Sequence, residues 1–256
     1  MKDLELALSL ADAADEISLA RFQALDLKIE TKPDRTPVTD ADQSVEKKIR
    51  EMISQLAPAD SVIGEEFENT GSSSRTWIVD PIDGTANFLR GLPIWATLIA
   101  LRIDSTITTS VVSAPALGRR WWASKGEGAF TRDVDGSVRK LSVSAVSDLS
   151  DSYISYNSIQ QWQRIGKEKN IESLSEQVWR IRAFGDFLSY MYVAEGSIDA
   201  ASEPDLKIYD IAALVPIVQE AGGRFTDLTG ELSEHSSTVL ASNGLIHEAI
   251  RAELNR

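Results

Sequence analysis

The order in which β-rich and helical segments follow one another constrains the fold of this chain most. After a helical start, a series of β-rich segments lies between residues 61 and 144, separated by turn residues and by a short helical turn predicted at 86–90. From about residue 150, strands and helices alternate to the end of the sequence. A run of strands followed by such alternation predicts an α+β or layered α/β fold, in which helices cover the faces of β-sheets.

Two helices are predicted ahead of the strands. Apolar residues recur at helical spacing over residues 3–25 and again over 45–56. Thr39 is the expected N-cap of the second helix, and Asp42 follows three residues later, as in a capping box. Residues 33–37, with a proline at each end, are predicted to form a loop.

Length and composition predict one folded unit over residues 1–256. The chain is 43% hydrophobic, which is enough for a sizeable core, and no repeat, low-complexity tract or long linker divides it. A stretch rich in serine and aspartate at 145–152 is the best internal seam. It separates two predicted halves, 1–148 with helices and an antiparallel sheet, and 149–256 with alternating strands and helices.

Composition also excludes several classes of function. The chain has no cysteine, which rules out disulfide frameworks, thiolate zinc sites and cysteine nucleophiles. Its net charge of −13 disfavours binding to nucleic-acid backbones and anionic membranes. The first residues lack the pattern of a signal peptide, and no apolar run approaches the ~20 residues that a bilayer span needs. We expect a cytoplasmic protein without nucleic-acid or membrane partners.

The segment WIVDPIDGTANF at 77–88 carries two carboxylates at the end of an apolar strand. Asp80 ends the predicted strand. Pro81 then turns the chain, so that the carbonyl of Ile82 is available as a ligand and Asp83 follows on the same side. Converging oxygens of this kind suit Mg²⁺, a hard cation that prefers oxygen ligands. For this segment alone an ordinary acidic turn is the alternative, since aspartate, proline and glycine all favour turns.

Acidic residues elsewhere in the chain favour the metal interpretation. Glu65 and Glu66 end another apolar strand, SVIGEE at 61–66, and two strand ends that both carry acids are less common than one. Asp210 lies near the start of an otherwise apolar helix predicted over 208–221, where stabilisation of the helix N-terminus is its alternative role. A magnesium site requires that the ends of these elements converge.

Three segments together resemble the signatures of the inositol monophosphatase superfamily: GEE at 64–66, WIVDPIDGTANF at 77–88 and YDIAALVPIVQEAGG at 209–223. PVTDADQSVE at 37–46 is similar to an upstream segment of the same family. The resemblance covers nearly the whole chain, in order and at the expected spacing. It implies a five-layer α-β-α-β-α sandwich and a Mg²⁺-dependent phosphomonoesterase, commonly a dimer.

The same resemblance implies a site for two to three Mg²⁺ ions, with Asp80 bridging two of them. The ligands that it implies are Glu65, Asp80, the main-chain carbonyl of Ile82, Asp83 and Asp210. Thr85, hydrogen-bonded to Asp42, is implied to orient the attacking water with help from Glu65. Phosphoryl transfer of this kind needs positioning and charge neutralisation rather than a protein nucleophile.

Further segments resemble one group within the superfamily, the actinobacterial histidinol-phosphate phosphatases. The resemblance is carried by SAPALGRRWWASKGEGAF at 113–130, WRIRAFGDFLSYMYVAEG at 179–196 and EPDLKIYD at 203–210. Inositol-specific relatives typically have a small or hydroxyl residue where this chain has Asp186, and tryptophan where it has Tyr209. The expected reaction is hydrolysis of L-histidinol phosphate to L-histidinol and phosphate, a step of histidine biosynthesis.

The expected substrate contacts are Asp83, Gly84, Thr85, Gly185, Asp186 and Glu203. Histidinol phosphate carries a primary amine and an imidazole, so a carboxylate in the pocket can pair with the ammonium group or accept the imidazole N–H. We expect Asp186 and Glu203 to contact that end of the substrate. The alternatives are that Asp186 caps the helix that follows it and that Glu203 pairs with Lys207 on the surface.

Two other classes of function stay open from the sequence. The first is a different phosphatase of the same fold, acting on inositol-1-phosphate, fructose-1,6-bisphosphate or adenosine bisphosphate. The second is a non-catalytic relative that acts as a binding module. The presence of every implied ligand speaks against this second class, because a site that has lost its function usually loses a ligand.

The neighbouring pairs Arg119–Arg120 and Trp121–Trp122 have no assigned role in this scheme. Alternation along a strand predicts that only one of the two tryptophans faces the core, and the pair is interpreted as core and dimer-face residues. Arg119 and Arg120 are interpreted as part of a solvated basic patch, with a place near the site entrance as the alternative.

Overall fold

A computed structural model describes residues 2–31 and 37–256 of the chain. Its helices are α1 (Asp3–Arg21), α2 (Asp40–Leu56), α3 (Thr85–Leu89), α4 (Ile159–Arg164), α5 (Glu168–Gln177), α6 (Asp186–Ala194), α7 (Ile208–Ile211), α8 (Leu214–Glu220) and α9 (His247–Leu254). Its strands are β1 (Ile29–Thr31), β2 (Pro37–Thr39), β3 (Ser61–Gly64), β4 (Arg75–Asp83), β5 (Ala96–Ile103), β6 (Thr106–Ala114), β7 (Arg119–Ser124), β8 (Gly128–Arg132), β9 (Val138–Lys140), β10 (Tyr153–Ser155), β11 (Arg180–Arg182), β12 (Ala200–Pro204), β13 (Arg224–Thr226) and β14 (Thr238–Ser242). The loop predicted over 33–37 lies outside the described residues except for Pro37, which begins β2. No helix in these two ranges combines the length and apolar composition that a membrane span needs.

The two large sheets and the helices that cover them form five layers. One sheet has the strand order β3-β4-β5-β6-β7-β8-β9, and α1 and α2 pack on its outer face. Helices α6 and α8 lie between this sheet and a second sheet of order β11-β10-β12-β14-β13. Helices α4, α5 and α9 cover the far face of the second sheet. This α-β-α-β-α arrangement confirms the predicted fold class.

Parallel pairing brings the carboxyl ends of several strands to the same edge of each sheet. In the first sheet β3 runs parallel to β4, and the remaining neighbours are antiparallel. In the second sheet β10 runs parallel to both β11 and β12. The two sheets lie on either side of the predicted seam at 145–152, and the division into halves 1–148 and 149–256 stays a prediction.

Both faces of the first sheet are covered by helices, and the two tryptophans of β7 show the consequence. Trp121 is fully buried between the sheets. Trp122 points the other way, packs against the core under α1 and α2, and stacks on Phe130 with ring centroids 6.2 Å apart. The prediction that only one of the pair faces a core is therefore wrong, because alternation exposes one face only when that face lacks a covering layer.

The two arginines of β7 are ion-paired with the helices on either side of the sheet. Arg120 is 4% exposed and pairs with Asp12 at 2.7 Å and Asp15 at 2.6 Å, both in α1. Arg119 pairs at 2.7 Å with Glu195, which directly follows α6. The interpretation of these residues as a solvated basic patch is wrong, because both form ion pairs that connect the sheet to its covering helices.

The helix predicted over 208–221 is divided into α7 and α8. Pro216 lies in the first turn of α8, where its missing N–H costs nothing. A continuous helix would place the same proline in its interior, with no donor for the carbonyl of Ala212. The break leaves α7 as a single short turn that carries Asp210.

Candidate active site

Strand β4 carries Asp80 and Asp83 and is irregular between them. Asp80 pairs with Leu98 of β5, whereas Asp83 pairs with Ala96, so three steps along β4 oppose two along β5. The extra residue is a β-bulge. Residues three apart on a regular strand point to opposite faces, and the extra residue returns both to one side. The predicted end of the strand at Asp80 is thus wrong by three residues, although the expected turning of both carboxylates to one side is present.

Asp210 of α7 joins these two residues in a group of three carboxylates, which we call the acidic cluster. One oxygen of each of Asp80, Asp83 and Asp210 lies within 4.8 Å of the others. Asp80 also accepts the main-chain N–H of Ile82 at 3.0 Å. Asp210 accepts the main-chain N–H of Lys207 at 2.7 Å, so the helix-stabilising role considered for it coexists with membership of the cluster.

Burial and mutual repulsion raise the pKa of every member of the acidic cluster. Burial, followed by the charges of Glu65 and Asp83, raises the pKa of Asp80 well above its usual range. Burial and the neighbouring Asp186 do the same to the pKa of Asp83, and burial together with Glu65 raises the pKa of Asp210 to about 7. A cluster of hard oxygen donors whose charged neighbours are acidic fits Mg²⁺, because a bound cation removes the repulsion.

Glu65 reaches this cluster through the pairing of β3 with β4. Gly64, the last residue of β3, lies opposite Val79 in a parallel register. The next residue on each strand is an acid, Glu65 on one and Asp80 on the other. Their carboxylates are close enough for the charge of Glu65 to act on the pKa of Asp80. The predicted convergence of two acidic strand ends is therefore present.

Thr85, the first residue of α3, faces Asp42 in the first turn of α2. The Thr85 hydroxyl oxygen lies 3.2 Å from Oδ1 of Asp42 and 3.0 Å from the carbonyl oxygen of Ile82, so its one hydrogen can go to either acceptor. The second oxygen of Asp42 accepts the main-chain N–H of Thr39 at 2.8 Å and its hydroxyl at 2.5 Å, which confirms the predicted capping box. Burial raises the pKa of Asp42.

Gly84 lies where β4 passes into α3, and any larger residue there would be strained and crowded. Its φ of 83° is in the left-handed region. A Cβ at this position would lie 2.9 Å from the carbonyl oxygen of Ile94 and 3.2 Å from Oδ2 of Asp186. The glycine therefore lets Asp186 approach the main chain that follows the two aspartates of β4.

Gly185 and Asp186 begin α6 directly beside the acidic cluster. The main-chain N–H of Phe187 donates to Oδ2 of Asp83 at 2.8 Å. The carboxylate of Asp186 accepts the side-chain amide of Asn87 at 2.9 Å, so it is bonded to α3 instead of capping its own helix. Asp186 has a φ of 45°, which is uncommon outside glycine, and burial raises its pKa to about 6.

Glu203 of β12 is 4% exposed and is surrounded by neutral donors. Its Oε1 accepts the side-chain amides of Asn157 and of Gln161, the latter at 3.2 Å. Its Oε2 accepts the hydroxyl of Tyr190 at 3.3 Å. We call these residues the Glu203 cluster. Burial, followed by the charge of Asp186, raises the pKa of Glu203 to about 8. The side chain is buried, so the surface pairing considered with Lys207 is wrong.

Sequence reasoning missed three residues of the Glu203 cluster: Asn157, which lies just after a strand, and Gln161 and Tyr190, which lie in α4 and α6. Asn157 follows β10 by two residues, and its Oδ1 accepts the main-chain N–H of Asp186 at 3.2 Å. It thereby links the two acids expected to contact substrate. Because β10, β11 and β12 are parallel, their carboxyl ends meet at one edge of the sheet, where ligands commonly bind in such sheets. A search of the strand ends would have found Asn157, whereas Gln161 and Tyr190 carry no comparable signal.

Comparison with known proteins connects this geometry with a family. The model of the Inositol monophosphatase family matches residues 2–256. A histidinol-phosphatase from Mycobacterium tuberculosis is 52% identical over 255 residues, covering 99% of this chain and 98% of that protein. The solved structure of an IMPase from Thermotoga maritima has a TM-score of 0.89 at 30% identity, covering 100% of this chain and 97% of that one. A structure of an IMPase/NADP phosphatase complexed with Mg²⁺ and phosphate has a TM-score of 0.85 at 25% identity, covering 98% of this chain and 94% of that one.

Proposed function

The chain belongs to the inositol monophosphatase family, and on this premise we propose that it hydrolyses histidinol phosphate to histidinol and phosphate in a Mg²⁺-dependent reaction. The observation that carries the proposal is the acidic cluster of Asp80, Asp83 and Asp210, with Glu65 beside it. The choice of substrate is supported by the 52% identity to a histidinol-phosphatase over almost the full length of both chains.

The metal part of the proposal assigns two to three Mg²⁺ ions to the acidic cluster. Glu65, Asp80 and the Ile82 carbonyl would hold one ion, and Asp80 with Asp83 and Asp210 a second. Bound Mg²⁺ supplies a charge that lowers the pKa of water and offsets the negative charge of the phosphoryl oxygens. Support comes from the oxygen-only donor set, the raised pKa values of its members, and a family structure that contains Mg²⁺ and phosphate.

The hydroxyl of Thr85 positions the water in this scheme. When its hydrogen is given to Asp42, at 3.2 Å, the Thr85 oxygen has lone pairs free to accept a hydrogen bond from water. Because Oδ1 of Asp42 is an acceptor for that hydroxyl, a proton of the water can pass through Thr85 to Asp42 as the water attacks phosphorus. The ester P–O bond breaks as the new P–O bond forms, and the leaving oxygen takes up a proton from solvent water and departs as the alcohol of histidinol.

The other end of the substrate is assigned to Asp186 and Glu203. Asp186 lies next to Asp83 and provides a charge for the substrate ammonium group. Among the described residues Oε2 of Glu203 receives only the hydroxyl of Tyr190, so it has capacity for one more donor, such as the imidazole N–H. Together the two acids would favour a cationic substrate over a ring of neutral hydroxyl groups. A homodimeric, cytoplasmic enzyme of histidine biosynthesis completes the proposal.

The test is a phosphate-release assay that compares histidinol phosphate with inositol-1-phosphate, each with Mg²⁺ and with a chelator. We expect kcat/KM to be at least about tenfold higher for histidinol phosphate, because groups built to pair with an amine and an imidazole are left unpaired by inositol. Preference for inositol-1-phosphate would overturn the substrate. Turnover that persists in the chelator would overturn the metal dependence.

A further inference from the structure

Glu46 of α2 is a fully buried carboxylate outside the acidic cluster. Its side chain is 0% exposed and turns toward the segment that follows β3. Oε2 of Glu46 accepts the main-chain N–H of Glu66 at 2.7 Å, and Oε1 accepts that of Phe67 at 3.3 Å. One carboxylate thus satisfies two consecutive main-chain donors immediately after Glu65, at the point where the chain leaves the sheet.

Gly64 makes room for this carboxylate on the other side of Glu65. A Cβ at position 64 would lie 1.9 Å from Oε1 and 2.7 Å from Oε2 of Glu46. The φ of Gly64 is not in the left-handed region, so the backbone conformation does not require glycine there. The requirement is space, because the carboxylate of Glu46 lies directly against the main chain of the strand.

Arg50, one turn further along α2, fixes the same carboxylate and the same segment. Its Nε donates to Oε1 of Glu46 at 2.7 Å. Its terminal nitrogens donate to the carbonyl of Phe67 at 3.1 Å and to the hydroxyl of Thr70 at 3.4 Å. Just beyond Glu65, Glu46 therefore accepts the N–H groups of Glu66 and Phe67, and Arg50 donates to the carbonyl of Phe67.

We propose that Glu46 is a positioning residue of the metal site, which bonds the main chain immediately after Glu65, packs against Gly64 immediately before it, and thereby places the Glu65 carboxylate beside Asp80. The inference rests on the proposed role of Glu65 as a metal ligand. The Glu65 side chain has several rotatable bonds, so its reach toward the acidic cluster depends on where its backbone is held. Outer partners that fix a ligand in this way commonly affect metal affinity strongly.

The first test is Glu46→Gln, in which an amide NH₂ group replaces an oxygen that now accepts a main-chain N–H. We expect affinity for Mn²⁺, measured from the EPR signal of the free ion, and for Mg²⁺, measured by calorimetry, to fall about 10- to 100-fold. At saturating Mg²⁺ we expect kcat to recover to within about threefold of wild type, since the catalytic groups themselves are unchanged. Circular dichroism and thermal unfolding establish that the variant is folded.

Glu253→Gln is the matched control. Glu253 is 3% exposed, accepts the hydroxyl of Ser173 at 2.7 Å, and lies in α9 on the far sheet. We expect the Glu253→Gln variant to bind Mn²⁺ and Mg²⁺ with the same affinity as wild type. If the Glu253 variant lost as much affinity as the Glu46 variant, or if a folded Glu46 variant bound Mn²⁺ like wild type, the positioning role would be overturned.

Gly64→Ala provides a second test that does not depend on the stability of Glu46→Gln. The added methyl collides with the Glu46 carboxylate, so we expect it to weaken Mn²⁺ binding in the wild-type background. In a Glu46→Ala background the same methyl enters vacated space, and we expect it to change Mn²⁺ affinity by less than about twofold. Equal effects in both backgrounds would contradict the proposal.

Glu65→Ala separates the inference from the premise on which it rests. A wild-type protein that bound no Mn²⁺, or a Glu65 variant that bound it unchanged, would refute the proposed metal site itself. Weakened binding in the Glu65 variant together with unchanged binding in the folded Glu46 variant would refute the positioning role alone.

Discussion

The acidic cluster and the Glu203 cluster are both built on buried carboxyl groups, but they differ in the number of neutral side-chain donors around those groups. After burial, the strongest influences on the pKa of Asp80 in the acidic cluster are other acids. The charge of Asp186 also raises the pKa of Glu203, but two side-chain amides and a phenol hydroxyl donate to this carboxyl group without carrying charge. The first arrangement repels itself, whereas the second is supplied with donors by the protein.

This difference indicates what each cluster is suited to bind. A buried carboxylate without a counter-charge is costly, so the acidic cluster gains most from cations that come from outside the protein. The Glu203 carboxyl group is already held in one orientation, and what it offers a ligand is one remaining acceptor position. One cluster is suited to metal ions and the other to discrimination between substrates, and each substitution below changes one cluster while leaving the other intact.

The largest effect is expected from Asp83→Asn, which keeps an acceptor for the main-chain N–H of Phe187 but removes a charge from the acidic cluster. We expect kcat with Mg²⁺ to fall about a thousandfold, as when one preorganised electrostatic group is lost from an active site. The metal-free variant should be at least as stable as wild type, because like-charge repulsion is relieved. Phosphate release and thermal unfolding measure the two effects, and wild-type turnover would overturn the metal assignment.

Glu203→Ala should give the next largest effect, on substrate selection. We expect kcat/KM for histidinol phosphate to fall about 10- to 100-fold, because the substrate donor that pairs with Glu203 would be left without an acceptor in a buried site. With p-nitrophenyl phosphate, which lacks the amine and the imidazole, kcat/KM should stay within about threefold of wild type. Unchanged kcat/KM for histidinol phosphate would show that Glu203 does not contact the substrate, and the same comparison applies to Asp186→Ala.

Asn157→Ala is expected to give a smaller effect of the same kind. Removal of the amide takes one donor from Glu203 and one acceptor from the main-chain N–H of Asp186, while Gln161 and Tyr190 continue to hold the carboxyl group. We expect KM for histidinol phosphate to rise about three- to tenfold with kcat nearly unchanged. A drop in kcat at constant KM would place Asn157 in the reaction itself and contradict a role in orienting the two acids.

The smallest effect concerns pH and the metal-free protein. The pKa of Asp210 is raised to about 7 from its ordinary 3.8. Between these two pH values the folded state therefore holds a proton that the unfolded state has lost. That contribution to stability is fully present below pH 3.8 and is lost as the pH rises through about 7. We therefore expect the gain in melting temperature on adding Mg²⁺ to increase between pH 5 and pH 9 by on the order of 5 °C. Thermal unfolding at both pH values measures this, and a gain that shrinks with rising pH would contradict it.

Features that depend on neighbours in sequence were predictable. Helix α2 begins after Thr39 with the expected capping box, because the cap and Asp42 are three residues apart. Asp80 and Asp83 were identified together because they belong to one short segment. In both cases the interacting groups are fixed by local chain geometry, which the order of residues specifies directly.

Features that depend on pairing across the fold were not predictable in the same way. The bulge between Asp80 and Asp83 exists only relative to β5, and no residue within β4 indicates that the strand continues past Pro81. Asn157 and Glu203 are 46 positions apart in sequence, and only the parallel pairing of β10 with β12 brings them together. Arg120 looked solvated because the covering by α1 cannot be inferred from β7 itself.

The bulge in β4 has a consequence for how the segment can change over evolutionary time. The separation of the two aspartates is tied to one unpaired residue, so a deletion or insertion of a single codon between them would turn one carboxylate to the opposite face of the sheet. Substitutions between the two aspartates do not change the side of the sheet to which each carboxylate points. We therefore expect related sequences to differ in which two residues lie between the aspartates more often than in how many residues lie there.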